Sequence, residues 1–212
     1  MLSDQGRVIE AEDQLREALR VWQSCGFGQG VPFAIGNLGR LAGRAGDDEL
    51  AVSLLTDARA AFNAEHSHFM TLEMDARLAE AAVLGGRFEE AIERADTLLS
   101  GLGPAPIGAV HQPLVVRQRA YGLMARGDLD AAAGDLDTAL GAARSARMPF
   151  EIALTREAEL RLAGLLGEER PEAAAELAEL LRSLDILRLP EIPLQPAGER
   201  SRSVSGARSS DR

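Results

Sequence analysis

Apolar residues recur along this chain with the three-and-four spacing of one helix face, and a glycine interrupts the pattern at nearly even intervals. Ile35, Leu38, Leu41 and Ala42 precede Gly46; Leu78, Ala79, Ala82 and Val83 precede Gly86. Val116, Ala120, Leu123 and Met124 precede Gly127; Ala158, Leu162, Ala163 and Leu166 precede Gly167. A second stripe follows each glycine: Ala51, Leu55 and Ala58, then Ala91, Ala95 and Leu98, then Ala132, Leu136 and Ala139. Ala11, Leu15 and Ala18 hold the same offsets after Gly6, while Ala173 and Leu177 follow Gly167 one residue late, beyond Pro171. These spacings place side chains on a common helix face. The five glycines lie 40, 40, 41 and 40 residues apart, so the pattern predicts helix, tight turn and helix in repeated copies. Glycine suits the turn because it reaches positive φ without a Cβ clash. Asp47 and Asp128, next in the chain, are placed to cap the following helices. The small alanine five residues after each glycine lets paired helices approach closely.

The turn glycine, the alanine after it and the later apolar positions resemble the tetratricopeptide repeat. Leu38-Gly39 matches that family's Leu-Gly pair, Leu78-Ala79 nearly so, and Arg119-Ala120 and Glu159-Leu160 do not. The family's period is about 34 residues, so the longer period here requires longer helices or looser joins. The resemblance implies an all-α, right-handed superhelix of antiparallel helix pairs with about nine helices: one orphan helix after Gly6, then four pairs. Pro190, Pro193 and Pro196 break the pattern after Leu189, and residues 201–212 carry no apolar anchor. A helical domain over 1–189 and a disordered tail over 190–212 are therefore expected.

Three segments also resemble the C-terminal helical arrays of large bacterial signalling ATPase regulators with cyclase or DNA-binding outputs. They are Arg77-Leu78-Ala79-Glu80-Ala81, Gly85-Gly86-Arg87-Phe88-Glu89-Glu90-Ala91 and Arg126-Gly127-Asp128-Leu129-Asp130-Ala131-Ala132. No GxxxxGK[ST] phosphate loop is present, and a chain without lysine cannot contain one. The array begins in mid-repeat, so a C-terminal piece of a larger regulator is expected.

Composition narrows the classes further. Hydrophobic residues are 46% of the 212 but aromatics only 4%, so the core must be built from Ala and Leu. A net charge of −10 disfavours direct binding to nucleic acid or to an anionic membrane. The single cysteine, Cys25, allows no internal disulfide and is read as a buried or half-buried structural thiol. No signal peptide or membrane-length apolar run is found, and a cytoplasmic location is expected. All 23 basic residues are Arg, as suits a GC-rich bacterial genome.

Candidate chemistry is sparse. Gly26-Phe27-Gly28-Gln29-Gly30 follows a helix rather than a strand, so it reads as a loop and not a dinucleotide site. His66 and His68 fall in a join between repeats and diverge on a helix, so surface positions are expected rather than metal ligands. His111 falls in the Pro-rich join at 103–113. The carboxylate runs, among them Glu89-Glu90, Glu172, Glu176 and Glu179, read as a solvated face. No enzyme activity and no cofactor are expected.

The resemblance implies that the first helix of each pair lines a concave groove, with groove-facing residues about ten, six and two positions before the turn glycine. These are Arg40 and Arg44, Glu80, Arg117 and Tyr121, and Glu157 and Arg161. Such a surface is expected to bind a protein or peptide, an acidic one in view of the arginines, or other domains of the same polypeptide. The alternative is that these arginines solvate the inner surface or pair with Glu80 and Glu157. A small-effector-sensing arm is a further alternative. Self-association is another, through the unpaired first helix with Val8, Leu15, Leu19 and Trp22.

Overall fold

The structure is a computed structural model that describes residues 7–101 and 106–194; Gly6 lies outside them. Among the described residues the elements are nine α-helices without a strand. They are α1 (Val8–Cys25), α2 (Gly30–Ala45), α3 (Asp48–Ala64), α4 (His68–Leu84), α5 (Phe88–Gly101), α6 (Pro106–Arg126), α7 (Leu129–Ser145), α8 (Pro149–Leu166) and α9 (Pro171–Ser183). Pairs α2/α3, α4/α5, α6/α7 and α8/α9 fold back at Gly46, Gly86, Gly127 and Gly167, and α1 stands alone before them. Helices α2, α4, α6 and α8 each touch the next of the set, whereas α3, α5, α7 and α9 contact only their inner neighbours. The result is an inner and an outer layer. The long period comes from long helices, 16 and 17 residues in the first full pair, while the joins at 65–67 and 146–148 stay short.

Gly127, at φ 96°, illustrates the hinge. The Asp128 N–H donates back to the Leu123 carbonyl at 3.0 Å, closing the helix with a left-handed residue. The same closure recurs between pairs without glycine: His66 (φ 55°) and Arg147 (φ 53°) take the left-handed position, and the Ser67 and Met148 N–H groups donate to the Phe62 and Ala143 carbonyls. His66 thus ends α3, and both it and His68 are exposed. Asp47 caps α3, its carboxylate accepting from the Leu50 N–H at 3.1 Å. Asp128 does not cap α7, because its carboxylate accepts from Arg126 Nε at 2.6 Å instead.

Ala51, Ala91 and Ala132, five residues after their glycines, are fully buried, as are Ala58 and Ala139. Around them the core forms in consecutive clusters. One joins Ala51, Leu55 and Phe62 to Met74 and Leu78; another joins Ala82 and Val83 to Tyr121, Leu136 and Leu162. Gly39 of the Leu-Gly pair is needed for closeness: a Cβ there would stand 2.9 Å from Leu55 Cγ of α3.

Four further expectations need correction. Cys25 is exposed, because it is the last residue of α1, a helix in which only Ala11 is buried. The expected open flank of α1 is partly covered: Val8, Leu15, Leu19 and Trp22 are half-buried, and the exposed apolar side chains nearby are Ile9, Val21, Phe27 and Phe33. His111 is not in a loop but inside α6, which continues through Pro113. A proline in a helix interior costs about 3 kcal/mol, and burial of Leu114, Val115 and Val116 immediately after it offsets that cost. Finally, the chain does not leave the fold at Leu189. Ile186 is buried, and Ile192 and Leu194 pack against the cluster around Tyr121. The remainder of the expected tail, 195–212, lies outside the described residues.

Candidate functional site

The inner layer collects the charged residues that the helical register places there. All seven predicted groove residues lie on α2, α4, α6 and α8, but they do not form an open basic surface. Arg40, Glu80, Arg117 and Tyr121 are buried, and the rest are half-buried.

Glu80 is the hub of the first half. Arg77 Nη1 stands 2.8 Å from its carboxylate, Arg44 Nη2 3.3 Å and Arg40 Nε 3.6 Å, so α2 and α4 are tied through one acid. Arg77 Nε also donates to Glu73 at 2.8 Å, and Glu73 lies 3.0 Å from His111 Nδ1 on α6. The Arg44 guanidinium also sits 5.8 Å from the centre of the Phe150 ring on α8. In the second half, Arg117 Nη1 donates to Glu151 at 2.6 Å and to Thr155 Oγ1 at 3.4 Å, joining α6 to α8. The Tyr121 hydroxyl donates to Glu157 at 2.8 Å, and Arg161 Nε donates to the same carboxylate. The pairing alternative named above therefore holds. The arginines' charge is answered by carboxylates of the same layer, which removes the basis for a groove that selects acidic peptides.

Sequence inspection missed Glu73, Arg77, His111, Glu151 and Thr155. The first two had a legible signal, since Glu73, Arg77 and Glu80 share one face of α4 by their spacing. His111 has none, because it stands in a Pro-rich stretch of the sequence.

The ionisation of this layer follows from its surroundings. Burial raises the pKa of Glu73, but the neighbouring Arg77 and His111 outweigh it and hold the carboxyl at about 2. Burial likewise opposes ionisation of Glu80, yet Arg77, Arg44 and Arg40 together hold its pKa far below the usual carboxylate range. Burial and the Glu157 carboxylate both push the Tyr121 phenol well above its ordinary value, so it stays a donor. Both glutamates are depressed in the folded chain, so the unfolded chain binds more protons in acid. Their stability contribution is whole above about pH 4.5 and is lost as pH falls toward about 2. Urea unfolding at a series of pH values should show this loss, and Glu80→Gln should make the profile flatter over the same window.

Residues 188–194 cross this inner face. Arg161 Nη1 donates to the Ile192 carbonyl at 3.2 Å. Pro190 and Ile192 close a small space whose other walls include Glu80, Arg117, Tyr121 and Glu157, with a volume of about 20 Å³. That is room for about one water molecule. A separate apolar cleft lies at the other end of the array, between Trp22, Phe27, Phe33, Phe62 and Met70. Among the described residues no group of three or more His, Cys, Asp or Glu could hold a metal ion, and no helix is long and apolar enough to cross a membrane.

The two-layered stack of helix pairs defines a tetratricopeptide-like, all-α helical array. No protein-family model matches the chain, and no curated protein matches it. Among solved structures it is similar to Bacillus thuringiensis PlcR, in a crystal structure with the peptide PapR7 and DNA. The TM-score is 0.70 at 14% identity, covering 88% of this chain and 68% of that one. At that identity the likeness is one of fold.

Proposed function

We propose that this chain is a non-catalytic recognition module, the arm of a regulator, whose inner face takes an extended peptide segment of a protein partner. The observation that carries this reading is Arg161: from the inner layer it holds a main-chain carbonyl, that of Ile192, in a stretch without helical structure. Side chains that bind backbone atoms recognise an extended chain whatever its sequence, and adjacent pockets then select side chains. A solenoid supplies such a surface preformed. PlcR, with the same fold, was solved with a peptide bound. Its DNA is not carried over, because the acidic balance of this chain directs the reading to protein partners. Glu73, Glu80, Glu151 and Glu157 are each engaged by an arginine, which suits structural carboxylates better than acid–base catalysts.

Selection of peptides from a random displayed library, followed by titration of the enriched sequences, tests the reading. Arg161→Ala should weaken binding about tenfold, the equivalent of one hydrogen bond to a charged group at about 1.4 kcal/mol. Failure to enrich any peptide, or unchanged affinity in Arg161→Ala, counts against it. Arg40 and Arg117 are unsuitable for this purpose, since both are buried and their replacement reports on folding.

A further inference from the structure

The inner face already holds a stretch of its own chain. After α9 ends at Ser183, Asp185 adopts a left-handed conformation (φ 53°) and the buried Ile186 anchors the turn. The chain then runs back across the inner layer. Leu189 and Pro190 line one cleft together with Arg44, Gly43 and Leu84 of α2 and α4, and Pro193 passes the Gly86 turn. From Pro190 onward the burial alternates: Pro190, Ile192 and Leu194 are half-buried, whereas Glu191 and Pro193 are exposed. Ile192 and Leu194 pack against the cluster that contains Ala82, Tyr121 and Leu162. A period of two is the signature of an extended strand lying on a surface; this one ends in a tight turn at Pro193, where the Leu194 N–H donates to the same Ile192 carbonyl at 2.8 Å. Two of these residues are prolines, which have no N–H to leave unsatisfied and lose little conformational freedom when the segment seats. Main-chain attachment to the inner layer is through the Arg161 contact at the Ile192 carbonyl.

We propose that residues 189–194 are a ligand held in cis. They fill the recognition face, and a partner peptide of the same chemistry displaces them. That chemistry is extended, with proline or aliphatic side chains at alternate positions and a main-chain carbonyl offered to Arg161. The proposal rests on the peptide-recognition reading above and adds to it both the ligand class and a built-in competitor. Binding from outside is weakened by the fraction of molecules whose face is already filled, so loosening the segment strengthens external binding.

The test uses the full chain and a fluorescein-labelled synthetic peptide with the sequence of residues 186–196. Wild type is compared with Ile192→Asp and with the milder Ile192→Ser, each checked for an intact helical melt by circular dichroism. Both variants should bind the peptide at least about tenfold more tightly than wild type, and a peptide carrying the same Ile-to-Asp change should not bind them. Equal affinity for wild type and folded variants overturns the cis-ligand and leaves peptide recognition standing. No binding by any folded form also overturns it, and the library selection then decides the broader reading separately.

Discussion

Replacing Glu80 with alanine is expected to destabilise the fold by about 3–5 kcal/mol, the cost of removing one partner from a buried ionic network. Arg40, Arg44 and Arg77 converge on this carboxylate from α2 and α4. Without it, three guanidinium groups crowd a space with little access to water. For a chain of this length the midpoint of thermal unfolding should fall on the order of 10 °C. Glu80→Gln keeps the shape and one acceptor oxygen and should recover part of the loss. Glu89→Ala is the fitting control, because Glu89 is exposed and its contact with Arg126 is a long 4.0 Å; it should change stability by no more than about 1 kcal/mol. If Glu80→Ala and Glu89→Ala unfold at similar temperatures, the inner network is not what joins the first two pairs.

Glycine-to-alanine replacements should divide by sign. Gly122 on α6 faces α5 so closely that a Cβ would stand 2.5 Å from Ile92 Cγ1 and 2.9 Å from the Phe88 carbonyl oxygen. The backbone oxygen cannot swing aside, so Gly122→Ala must push the two helices apart and should cost about 1–3 kcal/mol. Gly134 and Gly141 lie on the exposed side of α7, where an added Cβ would meet nothing within 4 Å. There alanine only restricts the unfolded chain and improves helix propensity, and each change should stabilise by about 0.4–1 kcal/mol. Chemical denaturation of the three variants decides it: a stabilising Gly122→Ala would mean that α5 and α6 are not in close contact.

The seven inner-layer residues show how far helical register reaches. Counting back from the turn glycines found the correct face, because side chains three and four apart on a helix must share it. It left two outcomes open for those side chains, an open basic groove or pairing with Glu80 and Glu157. Arg40 and Glu80, or Tyr121 and Glu157, belong to different repeats, and their distances depend on how successive pairs stack. Stacking decides between them: charge counted along the chain does not say which acid sits opposite, and here Glu80 and Glu157 do. His111 is a separate case. Prolines around it mark a join between repeats, while the deciding term is the burial of the apolar run at 114–116.

The array of helix pairs, the hinge positions and the close alanine contacts are legible from the residues alone, since all of these depend on local backbone preference and on periodicity within about two turns of helix. The pairing of the inner arginines, the burial of His111 and the return of residues 188–194 across the inner face arise from the way the helix pairs stack. Those outcomes join residues that are remote along the chain, and their energies come from desolvation and packing between elements, which no local pattern records.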